Sequence, residues 1–324
     1  MNQLPEIKSE EDYDKVYKSS ALRLEIAHAM LKDTGIQHSQ CEVLKGGSNL
    51  IYKINHDRIL KLYPPIYQDD AAIERDILKA LQHEELGAPA PRLYTHGTWR
   101  GWFYMVMSYE VGLNIIQRPE YTWPAGVTSK DRHYIISQLA DWMQASYESN
   151  AVQSVTLPEK WESWPDTALK LRENLLKKHS KFNAEQAWID QIEPFFEDFD
   201  LDACMKLPTY NVHADIHGLN VLISDKSGRW EISCVLDFAD TLKAPIIYDL
   251  IDPVLFIAQG DPALCKILYD TLLGTNHGLN AKTMMQWALL HRFCNLGFFT
   301  SMYTHTKGKF TTIEELGHML TGLN

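Results

Sequence analysis

Six polar residues crowd one short stretch of the chain: His213, Asp215, His217 and Asn220, then Asp237 and Asp240. Asn220 follows Asp215 by five places, and Asp237 follows the apolar run SCVL twenty-two places after Asp215. Moving a phosphoryl group requires a carboxylate to orient a hydroxyl and take its proton. It also requires an amide and a second carboxylate to hold magnesium against the phosphates. Asp215 fits the base, and Asn220 and Asp237 fit the oxygen ligands. Singly, Asp and Asn in such loops mostly cap turns; their order and spacing here favour chemistry.

A second set lies upstream. Lys61 sits in the apolar run ILKLY, where an ammonium is expensive unless it meets an anion. In the helical pattern from Asp70 to about His83, Ile73, Ile77, Leu78 and Leu81 form one stripe. At about 100° per residue Glu74 falls inside that stripe. A strand lysine and a helix glutamate on an apolar face are expected to pair, an arrangement that can aim the lysine at phosphate. Gly46, Gly47, Ser48 and Asn49 could lay backbone N–H groups over phosphate, although Gly-Gly turns mostly just close hairpins.

The elements that must position these groups follow from periodicity. Cys41 to Tyr63 reads as short strands in consecutive hairpins, broken at Gly46-Gly47 and at Asn55-His56-Asp57. A strand is expected at 103–109. Beyond Gly112 the pattern turns to long helices, Arg132 to Ser146 and Ala168 to Lys178, around a β-rich insert at 210–240. The expectation is an α+β chain in two lobes with a cleft between them. The first, 1–112, is small and β-rich with an N-terminal helical extension; the second, 113–324, is larger and mainly helical.

Composition sets the bounds. With 324 residues, 45% of them apolar and 23% charged, the chain can bury a substantial core. The net charge of −11 argues against nucleic acid as a partner. It suits a cation or a metal-bound nucleotide, or simply keeps the chain soluble. Most of the acid surplus lies beyond Gly112, net −8 against −3 before it. The run Glu193 to Asp202, five acids and no base, is a candidate to draw in a cationic molecule, though such runs are more often solvated helix ends. Five scattered cysteines with no C-x-x-C pair suggest reduced thiols in a cytoplasmic protein. The acidic N-terminus lacks an apolar segment, so no secretory signal is expected. Met284 to Tyr303 is apolar but carries Gln286, His291, Arg292 and Asn295, and reads as one buried core helix, not a membrane span.

Competing motifs fail on particular residues. HADIH has two histidines at helical spacing, but Ala214 stands where a zincin needs glutamate. GGSNLIYK lacks the G-K-[ST] ending of a P-loop. A protein kinase would show H-R-D, D-F-G and A-P-E, whereas this chain has H-A-D, D-F-A and no A-P-E.

In order, GGSNLIYKI, LKLY, IERDILKAL, APAPRLY, FYMVMSYEVG, NVHADIHGLNVLI and VLDFAD resemble the aminoglycoside phosphotransferase family, and within it most of all the hygromycin B phosphotransferases. The resemblance implies a bilobal protein-kinase-like fold. It also implies ATP or GTP with Mg²⁺ and transfer of phosphate to a hydroxyl of a small, cationic molecule, an aminoglycoside such as hygromycin B. Kinases of choline, homoserine or methylthioribose share the same core, and a nucleotide-binding pseudokinase is the non-catalytic alternative. By resemblance Lys61 and Glu74 are the ion pair, and Met107, Ser108 and Tyr109 the adenine hinge. Asp215 is the general base, Asn220 and Asp237 the metal ligands, His213 a brace for the loop, and Asp249 structural. Ala214 replaces a commoner glycine and Ser108 a frequent hinge glutamate, which leaves the choice between ATP and GTP open. A monomer or weak dimer is expected, with no nucleic-acid or membrane partner. No acceptor-contacting residue is read from the sequence.

Overall fold

A computed structural model of the chain describes residues 5–44, 46–181, 184–226, 228–307 and 310–323; the first four residues of the acidic N-terminal stretch lie outside them. Two helices, α1 (Glu10–Tyr17) and α2 (Ser20–Thr34), precede a five-stranded antiparallel sheet. Its strands β1 (Cys41–Val43), β2 (Leu50–Ile54), β3 (Arg58–Tyr63), β4 (Leu93–Trp99) and β5 (Trp102–Ser108) lie in the order β1-β2-β3-β5-β4. Helix α3 (Gln68–Leu81) connects β3 to β4.

The period-two alternation of a strand decides what each face of β3 meets. Leu60 and Leu62 join the core that α1 and α2 build with Ile26, Met30, Tyr52 and Trp102. Tyr63 turns the other way, into the core shared with α3 and the C-terminal part, and Lys61 goes with it. Lys61 therefore points at α3 because its neighbours are claimed by the N-terminal helices. On α3, Ile73, Glu74, Ile77, Leu78 and Leu81 are all buried, as the stripe predicts.

After β6 (Leu113–Asn114) comes the long helix α4 (Ser129–Glu148), opened by a capping box in which Thr128 and Asp131 satisfy each other's backbone N–H. A second, three-stranded sheet pairs β6 with β8 (Val221–Lys226) and β8 with β9 (Arg229–Val235). A short ladder pairs β7 (Tyr210–Val212) with β10 (Leu242–Ala244). The remainder is helical. Among the described residues no helix is long and apolar enough to cross a membrane.

The apolar segment 284–303 departs from the expected single helix. It forms the ends of two, Ala281–Leu290 and Leu296–Lys307, separated by a turn. Lys178 Nζ donates to the carbonyls of Leu289 (2.6 Å) and His291 (2.5 Å), closing the first helix. Asn295 Oδ1 then accepts the Phe298 N–H at 2.7 Å and opens the second. Likewise 168–178 is divided between Trp164–Glu173 and Leu175–Lys181 at Asn174.

His179 locks the turn from beneath. Its Nε2–H donates to Leu289 O at 3.1 Å, and its Nδ1 accepts from the Leu296 N–H at 3.1 Å. Burial, with Lys178 alongside, depresses its pKa from 6.5 to about 3. Unfolded chain binds this proton below the ordinary value and folded chain does not. The stabilisation is therefore present above about pH 6.5 and is lost as pH falls toward 3, by at most about 1.4 kcal/mol per unit. In thermal melts at pH 7 and pH 5, His179→Gln is expected to lose less stability on acidification than the native protein. Equal losses would contradict the assignment.

Candidate active site

Lys61 is the junction between the two sheets. Its Nζ lies 2.8 Å from Glu74 Oε2 on α3 and 2.8 Å from Asp237 Oδ1 at the end of β9. Burial alone would depress the ammonium, but Asp237 and Glu74 outweigh it and hold its pKa above that of ordinary lysine. Burial pushes Glu74 up to about 7, with Lys61 only partly offsetting it. At Asp237 burial also opposes the charge, but there Lys61 prevails and the pKa is lowered. The geometry shares the single positive charge between the two carboxylates, 2.8 Å from each. Asp237 takes a left-handed backbone (φ 64°), a conformation Asp tolerates better than most and one found at functional turns.

The loop after β7 brings the remaining groups together. Asn220 Nδ2 donates to Asp215 Oδ2 (3.0 Å) and to the Asp215 carbonyl (2.9 Å). The Asn220 Oδ1 is left for another ligand. The Leu236 N–H, beside Asp237, donates to the Asn220 carbonyl at 2.8 Å. His213 braces the same joint: its Nε2–H donates to Leu236 O at 2.9 Å, and its ring packs 4.9 Å from that of Phe238. Asp249 ties the loop from below, accepting the Ala214 N–H (2.5 Å) and the Tyr147 hydroxyl (2.7 Å). Ala214 itself has φ 60°, a region where glycine is at ease and alanine is strained; glycine's frequency there has a backbone cause.

The surroundings of Asp215 resist its ionisation. Burial raises its pKa well above the carboxylate range, and the carboxylates of Asp252, Asp240 and Asp237 add to this, while Arg292 opposes it. His217 Nε2 stands 3.7 Å from Asp215 Oδ2, but burial and then Arg118 lower the imidazole to about 4, so it supplies no charge near neutrality. Asp240 is held by Arg292, Nη2 to Oδ1 3.0 Å.

The glycine turn joins β1 to β2 with φ 108° at Gly46 and φ 73° at Gly47. The N-terminal helices hold it. Tyr17 donates to Gly47 O (2.7 Å), Tyr13 to Ser48 O (2.9 Å) and Arg23 to Leu44 O (3.0 Å). Asn49 is buried beside Ser48. Met107, Ser108 and Tyr109 lie where β5 leaves the first sheet, but two of their N–H groups are engaged. Ser108 donates to Arg92 O at 2.9 Å and Tyr109 to Asp57 O at 2.8 Å.

The acidic run at 193–202 stands apart from this site. Arg172 binds Glu193 through two contacts, the shorter 2.6 Å, and Lys282 binds Asp198 at 2.6 Å. Asp200 caps a helix by accepting the Ala203 N–H. Local cations, which the sequence run does not reveal, thus pair with two of its five acids. Asp252 and the aromatic side chains near Asp215 are not among the residues that spacing singles out; an acid in the apolar run LIDPVLFIA is the signal available.

A two-lobed α+β chain with a buried lysine–carboxylate junction beside an Asp–Asn loop is, in class, a small-molecule kinase. The chain belongs to the phosphotransferase enzyme family (APH), whose profile matches residues 39–269, more than half of its length. Comparison with curated proteins gives no match. Among solved structures it is similar to the GDP and kanamycin complex of APH(2")-IIia, at 15% identity over 82% of this chain and 87% of that chain, TM-score 0.62. APH(3'')-Id from Streptomyces rimosus ATCC10970, in complex with ADP and streptomycin, matches at 13% identity over 82% and 96%, TM-score 0.56. Macrolide 2'-phosphotransferase MphH from Brachybacterium faecium, an apoenzyme, matches at 13% over 93% and 97%, TM-score 0.53. At these identities the likeness establishes the fold.

Proposed function

We propose that the chain transfers the γ-phosphate of ATP or GTP, with Mg²⁺, to a hydroxyl of a cationic small molecule. The observation that carries this reading is the convergence at Lys61, 2.8 Å from both Glu74 and Asp237, beside an Asp215 bonded to Asn220. In this reading 1–112 is the nucleotide-binding lobe and 113–324 the catalytic and acceptor lobe. Lys61, aimed by Glu74, meets the α- and β-phosphates, and the backbone of 46–49 covers them. Asp215 orients the acceptor hydroxyl and receives its proton.

The donors left over suit magnesium. Asn220 offers Oδ1 and Asp237 its Oδ2, hard oxygen ligands of the kind that ion takes. When bound, Mg²⁺ would neutralise charge on the phosphates.

For the acceptor, family resemblance makes an aminoglycoside-type antibiotic, with hygromycin B first, the compound class to try. The kanamycin and streptomycin complexes of the structural neighbours support it. One observation favours a small metabolite instead: the cavity beside Asp215 is small, with Tyr121, Phe256, Phe293 and Phe298 in its lining. The test is transfer of labelled phosphate from ATP to hygromycin B, kanamycin, choline and homoserine. Transfer to at least one, abolished by EDTA and restored by Mg²⁺, is expected. ATP turnover that never labels an acceptor, or labelling indifferent to Mg²⁺, would contradict the reading.

A further inference from the structure

The cavity beside Asp215 has a volume of about 220 Å³, and its lining includes Asp215, Asp252, Tyr121, Phe256, Phe293 and Phe298. It lies below the roughly 300–1,000 Å³ typical of sites for drug-sized ligands. A multi-ring antibiotic would leave most of its bulk outside.

Asp252 is the unexplained group in this wall. It is 1% exposed, and its Oδ2 has no hydrogen-bond partner among the described residues. Its Oδ1 stands 3.6 Å from His291 Nδ1 and 3.9 Å from Cys294 Sγ. Burial, with Arg292 and Lys178 adding to it, holds His291 well below its ordinary pKa, so the ring is neutral. Arg292 is bonded to Asp240, through both its carboxylate and its carbonyl. Arg292 therefore acts on Asp252 only through space, and among the described residues no cation is bonded to it. Burial, with the Asp249 carboxylate adding to it and Arg292 only partly opposing, raises the Asp252 pKa well above the ordinary value; a ligand that brings a cation beside it would favour the ionised form.

The aromatic walls narrow the kind of cation. Phenyl and phenol rings attract an ammonium through their faces, most strongly where water is excluded. Mg²⁺ demands several oxygen ligands and keeps its waters, whereas four of the side chains around Asp252 are the rings of Tyr121, Phe256, Phe293 and Phe298. Arg118 also lines the cavity and would repel a second positive charge. Of the two carboxylates, Asp215 is reserved for the hydroxyl, so one is left for one cation.

We propose that this cavity binds a compact amino alcohol bearing a single alkylated ammonium, held between Asp252 and the rings, with its hydroxyl at Asp215. This rests on the phosphotransfer reading. The alcohol oxygen forms a bond to the γ-phosphorus, the bond from that phosphorus to the β-bridging oxygen breaks, and the proton passes to Asp215. The products are a phosphomonoester and a nucleoside diphosphate.

The experiment measures kcat and KM with MgATP for choline, for its uncharged carbon isostere 3,3-dimethylbutan-1-ol, for kanamycin and for hygromycin B. Choline is expected to exceed the isostere by at least about tenfold in kcat/KM, and to exceed both antibiotics. Asp252→Asn should raise the choline KM about tenfold and leave the ATP KM unchanged, which also reports that the variant is folded. Phe293 is 43% exposed, so Phe293→Ala removes a wall without opening the core, and should raise the choline KM as well. Equal use of choline and its isostere, turnover confined to the antibiotics, or choline kinetics unmoved by both variants would overturn the assignment of this cavity alone. Failure of MgATP to bind the native protein would overturn the phosphotransfer reading, and the proposal with it.

Discussion

Asp215→Ala is expected to lower kcat by at least ~10²-fold, the usual scale for a positioned general base, while MgATP still binds. The hydroxyl of the acceptor would lose both its orienting partner and its proton acceptor, and no other group replaces them. His217 is neutral near pH 7 and turned partly to the Leu219 N–H. Asp240 is engaged by Arg292, and Asp237 by Lys61. Asn220 would lose only one of its two bonds, since the Asp215 carbonyl remains. The loop should therefore keep its place, and the ATP KM should change little. Turnover within a few-fold of the native value would remove Asp215 from the chemistry.

The second large effect is expected at the lysine junction. Lys61→Met removes the only cation bonded to both Glu74 and Asp237 among the described residues and leaves a buried and a half-buried carboxylate near each other. Losing one member of a buried ion pair costs about 3–5 kcal/mol, so melting temperature must be followed together with activity. Glu74→Gln keeps the shape of the side chain and releases Lys61 to Asp237 alone, which should weaken phosphate positioning with a smaller loss of stability. Each single variant should reduce kcat/KM. The double variant should lose much less than the sum of the two, because both changes disable one unit. Fully additive losses would show that Lys61 and Glu74 act separately.

The parts of this arrangement visible in the sequence are those written in local periodicity. Alternation placed Lys61 on the face opposite Leu60 and Leu62, and the helical stripe placed Glu74 among Ile73, Ile77 and Leu78; the pair then meets at 2.8 Å. The spacing of Asp215 and Asn220 brought their side chains within a hydrogen bond. Features set by distant partners were not legible. The break between Leu290 and Leu296 depends on Lys178 and His179, more than a hundred residues earlier. The run at 193–202 looks free until Arg172 and Lys282 fold against it. Ser108 and Tyr109 have their N–H groups taken by Arg92 and Asp57 through sheet and loop pairing, which spacing within one strand does not reveal. Asp252 became notable only when its burial, its unbonded oxygen and the surrounding rings could be seen together.

The most direct test of phosphoryl transfer is phosphorus NMR of the protein with ATP, Mg²⁺ and an acceptor such as choline or hygromycin B. Loss of the γ-phosphate signal matched one for one by a new phosphomonoester signal is predicted for the native protein and not for Asp215→Ala. Conversion of ATP to inorganic phosphate alone, or a monoester formed equally by the variant, would contradict it.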